Sequence, residues 1–131
     1  MTTQINFDCI HSSTKGVTPE LITAVTDRIV RHMTPSQIIL FGSWAKGTAS
    51  DDSDLDLMVV LDDHHQLASL PPRKRVRRLS ELFRYRRFGL DTMIFTQGEL
   101  QLIQEQNEGE WELVLEILKE GFKLYGKSTQ N

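Results

Sequence analysis

Phe41-Gly42-Ser43-Trp44-Ala45-Lys46-Gly47-Thr48-Ala49-Ser50-Asp51-Asp52-Ser53-Asp54-Leu55-Asp56-Leu57 is the stretch that decides the fold. It opens at the end of a short apolar run, Ile38-Ile39-Leu40-Phe41, which predicts a buried strand. Gly42-Ser43 breaks that strand, and Trp44 to Thr48 reads as one short helical turn. Ala49 to Ser53 is small and polar, hence a loop. Asp54-Leu55-Asp56-Leu57 then alternates and runs into Met58-Val59-Val60-Leu61, a second strand that begins polar on one face. Residues two apart on a strand share a face. Leu55 and Leu57 are therefore expected in the core, with Asp54 and Asp56 on the open side.

Two carboxylates on one strand face sit only about 6–7 Å apart along the backbone. Unpaired, they repel, and one tends to hold its proton. A hard divalent cation resolves the conflict, and Mg²⁺ is typically held by one or two carboxylates plus substrate phosphates. Asp91, inside the apolar run Phe88-Gly89-Leu90-Asp91-Thr92-Met93-Ile94-Phe95, supplies a third acid on a predicted third strand. Three acids suit two Mg²⁺ ions, or one ion and a general base. Glycine at Gly42 lets a phosphate approach the backbone. The turn offers backbone N–H groups and the Ser43 hydroxyl, and Lys46, one turn on, can pair with a phosphate. Singly, each signal has an ordinary explanation: a Gly-Ser turn, a solvated strand end, an edge acid. Their joint placement carries the reading.

Outward from this centre, Thr18-Pro19 reads as an N-cap and first helical position. Leu21, Ile22, Val25, Ile29, Val30 and Met33 continue at helical spacing until Pro35. Pro71-Pro72 opens another helix with Val76, Leu79, Leu82 and Phe83 on one side and arginines on the rest. Thr96 and Glu99 have capping-box spacing. Trp111, Val114, Leu115 and Leu118 mark a last amphipathic helix that Gly121 stops, and Phe122-Lys123-Leu124-Tyr125 reads as an edge strand. The fold class expected is α/β of the α+β type, a short mixed sheet flanked by helices. Residues 1–131 read as one domain, with polar, irregular residues 1–16 expected to be partly mobile.

The 131 residues carry a net charge of -3, which does not mark a general nucleic-acid binder, and nucleic acid is not expected as the main partner. The charge is uneven. Asp51, Asp52, Asp54, Asp56, Asp62 and Asp63 crowd one stretch; Arg73, Lys74, Arg75, Arg77, Arg78, Arg84, Arg86 and Arg87 crowd the next. A solvated helix face is the default for the basic run, but charges this dense repel and favour an anionic partner. The single cysteine, Cys9, precludes an intrachain disulfide and fits a reducing compartment. No apolar stretch reaches membrane-spanning length and no signal peptide is apparent, so a cytoplasmic location is expected. Trp44 is read as packing rather than stacking on a base. His64 and His65 are read as a solvated loop rather than a metal site. His11 and His32 are assigned nothing, and Tyr85 and Tyr125 are read as packing.

Gly42-Ser43, ten residues, then Asp54-Leu55-Asp56 resembles the signature of the DNA polymerase beta-like nucleotidyltransferase superfamily. Phe41 through Ala49, Ser53 through Leu57, and the ending Lys119-Glu120-Gly121-Phe122-Lys123-Leu124-Tyr125-Gly126 resemble its minimal nucleotidyltransferase (MNT) branch, over roughly residues 20 to 126. The resemblance implies the polymerase beta-like palm. It implies Mg²⁺ held by Asp54 and Asp56, with Asp91 completing the metal site or activating the acceptor hydroxyl, and Gly42 and Ser43 holding the triphosphate. Lys46 stands where arginine is commoner in this branch. The activity implied is transfer of AMP from ATP. Since the catalytic strands finish by about residue 95 and two short helices follow, the acceptor is expected to be a separate macromolecule. In this branch that implies a small helical HEPN toxin, with the transferase as its antitoxin adding AMP to a tyrosine. The alternatives are an aminoglycoside-type small-molecule adenylyltransferase and a non-catalytic module that masks a partner.

Overall fold

The computed structural model describes residues 5, 7, 16–50, 52–106 and 109–126. The expected mobility of residues 1–16 falls mostly outside them. Phe7, however, is buried, edge-on to Phe83 with ring centroids 4.8 Å apart. That part of the N-terminal segment is core, a role that one aromatic in a polar stretch did not signal.

Helix α1 spans Pro19–Met33, and its Thr18 cap accepts a hydrogen bond from the Leu21 N–H at 3.0 Å. It ends at Thr34 in the left-handed conformation, one residue before Pro35. Strand β1, Gln37–Phe41, leads into the single turn α2, Ser43–Lys46. Strand β2 is Leu55–Leu61 and strand β3 is Leu90–Thr96; strand β4, Phe122–Tyr125, lies at an edge as expected. Helix α3 spans Pro72–Ser80, α4 Gln97–Gln106 and α5 Glu112–Glu120.

The strands form one mixed sheet in the order β3-β2-β1-β4. β2 pairs antiparallel with β1 and parallel with β3. This brings the end of β1 and the starts of β2 and β3 to one end of the sheet. Period-two alternation then feeds two cores. Leu55, Leu57, Val59 and Leu61 pack on one face with α1 and Leu79 of α3; Met58 and Val60 pack on the other with α4 and α5. The face expected to be open is therefore covered along most of its length. Only its polar beginning, at Asp56, escapes cover.

The basic run is not one helix. α3 stops at Ser80, a short 3₁₀ turn covers Glu81–Phe83, and Arg84, Arg86 and Arg87 follow in the segment that leads to β3. Arg75 is not on the charged outer face at all: its side chain is 2% exposed. Its Nε donates to the Leu67 carbonyl (3.0 Å), and Nη1 and Nη2 donate to the Ile94 (3.2 Å) and Ala68 (2.9 Å) carbonyls. The same two nitrogens grip Glu99 in a bidentate pair at 2.7 and 2.9 Å. Glu99 in turn closes the predicted capping box, accepting from the Thr96 N–H (2.9 Å) while its own N–H donates to Thr96 Oγ1 (3.1 Å). One buried guanidinium thus ties α3, the end of β3 and the start of α4.

Candidate active site

Antiparallel pairing sets Asp56 directly opposite Phe41, the last residue before Gly42. Parallel pairing sets it beside Asp91. Neighbouring strands lie about 4.8 Å apart, so the carboxylates of Asp56 and Asp91 are close neighbours on one face. Asp54 lies one residue before β2, and the next residue, Leu55, donates its N–H to the Gly89 carbonyl at 2.8 Å. The segments bearing Asp54, Asp56, Asp91, Gly42 and Ser43 therefore meet at one end of the sheet.

Gly42 has φ +76°, which glycine adopts without strain. A methyl group there would also collide with the Asp56 carboxylate, with its Cγ only 3.0 Å away. The glycine thus supplies both the sharp exit from β1 and the space Asp56 occupies. Lys46 N–H bonds the Gly42 carbonyl at 3.2 Å, closing the turn, and the Lys46 side chain is exposed.

Electrostatics follow from the geometry. Partial burial, then the charges of Asp91 and Asp54, push the Asp56 carboxyl above its ordinary value of 3.8. A group of anions without a cation is the environment a divalent metal relieves. The acids fit a hard cation by chemistry and register. They are not, as they stand, a finished cage: among the described residues no group of three His, Cys, Asp or Glu side chains is arranged to hold a metal. Asp54 and Asp91 are exposed.

A cavity of about 220 Å³ adjoins the turn, lined by Phe41, Ala45 and Lys46 on one side and Leu113, Glu116 and Glu120 on the other. Trp44 packs against the core and donates its indole N–H to the Ser53 carbonyl at 3.3 Å, which fits the packing role. His65 is half-buried rather than solvated. Its Nδ1 accepts from the Leu67 N–H (3.0 Å), so Nε2 carries the proton it donates to the Met33 carbonyl (2.6 Å).

One residue of this end of the sheet carries no sequence signal that marked it. Gly89 precedes β3, and a methyl group there would collide with the Asp54 carboxylate. A glycine two residues before the third acid was the available clue, and a glycine at a strand start ordinarily reads as a turn.

A mixed sheet with acids at the starts of two strands and a Gly-Ser turn at the end of a third defines a nucleotidyltransferase palm. The family profile described as "Polymerase beta, Nucleotidyltransferase" matches residues 24–130, and the chain belongs to that family. No curated protein matches the chain. Its fold is shared with a crystal structure of a candidate nucleotidyltransferase from Sulfolobus solfataricus, at TM-score 0.54 and 17% identity, over 84% of this chain and 81% of that one.

Proposed function

We propose that the chain transfers AMP from ATP, with Mg²⁺, to a hydroxyl of a partner protein, and that it acts in the cytoplasm as the antitoxin of a HEPN/MNT pair. The observation that carries the catalytic part is the pairing of Asp56, two residues after Asp54, with Asp91, at the end of the sheet that bears Gly42-Ser43. In this reading Asp54, Asp56 and Asp91 hold the metal. Bound Mg²⁺ supplies neutralisation of the triphosphate charge and a more electrophilic α-phosphorus. Gly42 admits the triphosphate to the backbone, Ser43 donates its hydroxyl to it, and Lys46 adds a positive charge. Asp91, on the outermost of the three strands, faces the incoming acceptor and takes its proton. The acceptor oxygen bonds to the α-phosphorus, the bond to the bridging oxygen breaks, and pyrophosphate leaves.

A protein acceptor is favoured by the basic ridge. Arg73, Lys74, Arg77 and Arg78 of α3 and Arg84, Arg86 and Arg87 of the following segment are all exposed. Helix α3 packs against β3, and a basic surface of this kind steers and orients an acidic partner. The test is to mix the chain with ATP, Mg²⁺ and a small helical protein encoded beside it, and to weigh that protein. Mass gains of whole AMP units on a tyrosine are expected; an unchanged mass removes the antitoxin assignment.

Glu116 and Glu120 in the cavity beside Gly42 are the one feature that favours a cationic small-molecule acceptor such as an aminoglycoside. Its volume, about 220 Å³, lies below the roughly 300–1,000 Å³ of drug-sized sites, and Lys46 shares its lining. Kanamycin as sole acceptor should therefore yield no adenylylated product.

A further inference from the structure

We infer that Gly89 is a positioning residue for the Asp54 carboxylate. This rests on the assignment of Asp54 to the metal site and adds to it a residue on a different strand segment. Two observations meet at Gly89. Its carbonyl accepts the Leu55 N–H at 2.8 Å, which locks the residue after Asp54 to the start of β3. Its missing side chain leaves the space that the Asp54 carboxylate fills: a Cβ built there would collide with Oδ1, lie 2.5 Å from Cγ and 3.2 Å from the Asp54 Cβ. The φ of Gly89 is not left-handed, so an alanine is not excluded by backbone strain. The three atoms nearest to such a Cβ all belong to the Asp54 side chain. Gly42 stands in the same relation to Asp56. The paired carboxylates are thus each backed by a glycine on an adjacent segment.

The consequence separates function from fold. Asp54 is exposed, so it can swing away from an added methyl group at little cost to stability. The carboxylate then leaves the direction that converges with Asp56. Groups that orient metal ligands typically contribute about 10- to 100-fold in metal affinity, and misplacement of about 1 Å can cost on the order of 100-fold in rate.

The experiment compares wild type, Gly89→Ala, Asp54→Asn and the double variant, with Gly109→Ala as control, because a methyl group at Gly109 meets nothing within 4 Å. Mn²⁺ affinity is measured by calorimetry, and melting temperature without metal. Gly89→Ala is expected to melt as the wild type does and to bind Mn²⁺ about 10-fold more weakly. On the Asp54→Asn background it should add no further loss, since the effect passes through Asp54. Gly109→Ala should bind Mn²⁺ normally. Where transfer is measurable, kcat falls while KM for ATP holds. Unchanged Mn²⁺ affinity in Gly89→Ala overturns the inference, as does an equal loss with and without Asp54, or a lowered melting temperature that accounts for the loss. Failure of wild type to bind Mn²⁺ at all would instead remove the metal-site reading on which this one stands.

Discussion

Asp56 sits where the Asp91 and Asp54 charges and the Gly42 backbone converge, and its chemistry is set by that crowding. Burial first, then its two acidic neighbours, raise its carboxyl above 3.8. A folded-state value above the unfolded one means that stability is greatest with the proton on, and is lost as pH rises through the folded value. At neutral pH without metal, the ionised Asp56 therefore costs stability. Asp56→Asn should raise the metal-free melting temperature at pH 7, by about 2 °C once solvent screening of this partly exposed group is allowed for. The gain should vanish below pH 3.8, where the wild-type carboxyl is already protonated. Melting curves of both proteins at the two pH values check this, and an equal gain at both would remove the electrostatic cause. The aspartates and Gly42 were legible in the sequence because strand alternation and a turn glycine act locally. Gly89 was not, because what it makes room for lies on another strand.

At the scale of elements, the clearest local signals named real caps: Thr18-Pro19 starts α1, and Thr96 with Glu99 starts α4. Arg75 was misread for a physical reason. In a run of cationic side chains, nothing local distinguishes the one that turns inward to the Leu67, Ala68 and Ile94 carbonyls and Glu99. Cover of the β2 face by α4 and α5 was likewise a tertiary outcome, invisible to periodicity. The Arg75 side-chain hydrogen bond lowers the Glu99 carboxyl below its usual 4.5, against the opposing effect of burial. A depressed acid contributes stability above its unfolded value and loses it as pH falls through the folded one. Glu99→Gln keeps the shape but removes the charge beside a buried guanidinium. It should cost about 1–3 kcal/mol in urea unfolding at pH 7, less than a fully buried pair because Glu99 is partly exposed. The cost should shrink as pH falls below 4.5. A pH-independent cost would mean that shape, not charge, is what the pair contributes.

Over the whole molecule, charge is unevenly placed: Asp54, Asp56 and Asp91 meet at one end of the sheet, and the basic side chains of α3 and the segment after it, Arg75 apart, are exposed. If the ridge docks a partner, Arg77, Arg78 and Arg84 changed together to Glu should weaken partner binding. They should also reduce its salt dependence, since exposed charges act over about 10 Å at 0.1 M salt. ATP affinity should hold; lost ATP affinity with intact partner binding would move the ridge into the nucleotide site. No helix among the described residues is long and apolar enough to cross a membrane. Narrower than any partner is the proposal that the Asp54–Asp56–Asp91 end of the sheet binds a nucleoside triphosphate through Mg²⁺. Calorimetry of ATP binding, with Mg²⁺ and with EDTA, on wild type and Asp56→Asn tests it most directly. Wild type is expected to bind with Mg²⁺ and to lose at least about 10-fold in affinity with EDTA, and Asp56→Asn to show the same loss despite an intact fold. Equal ATP affinity in all of these conditions would contradict it.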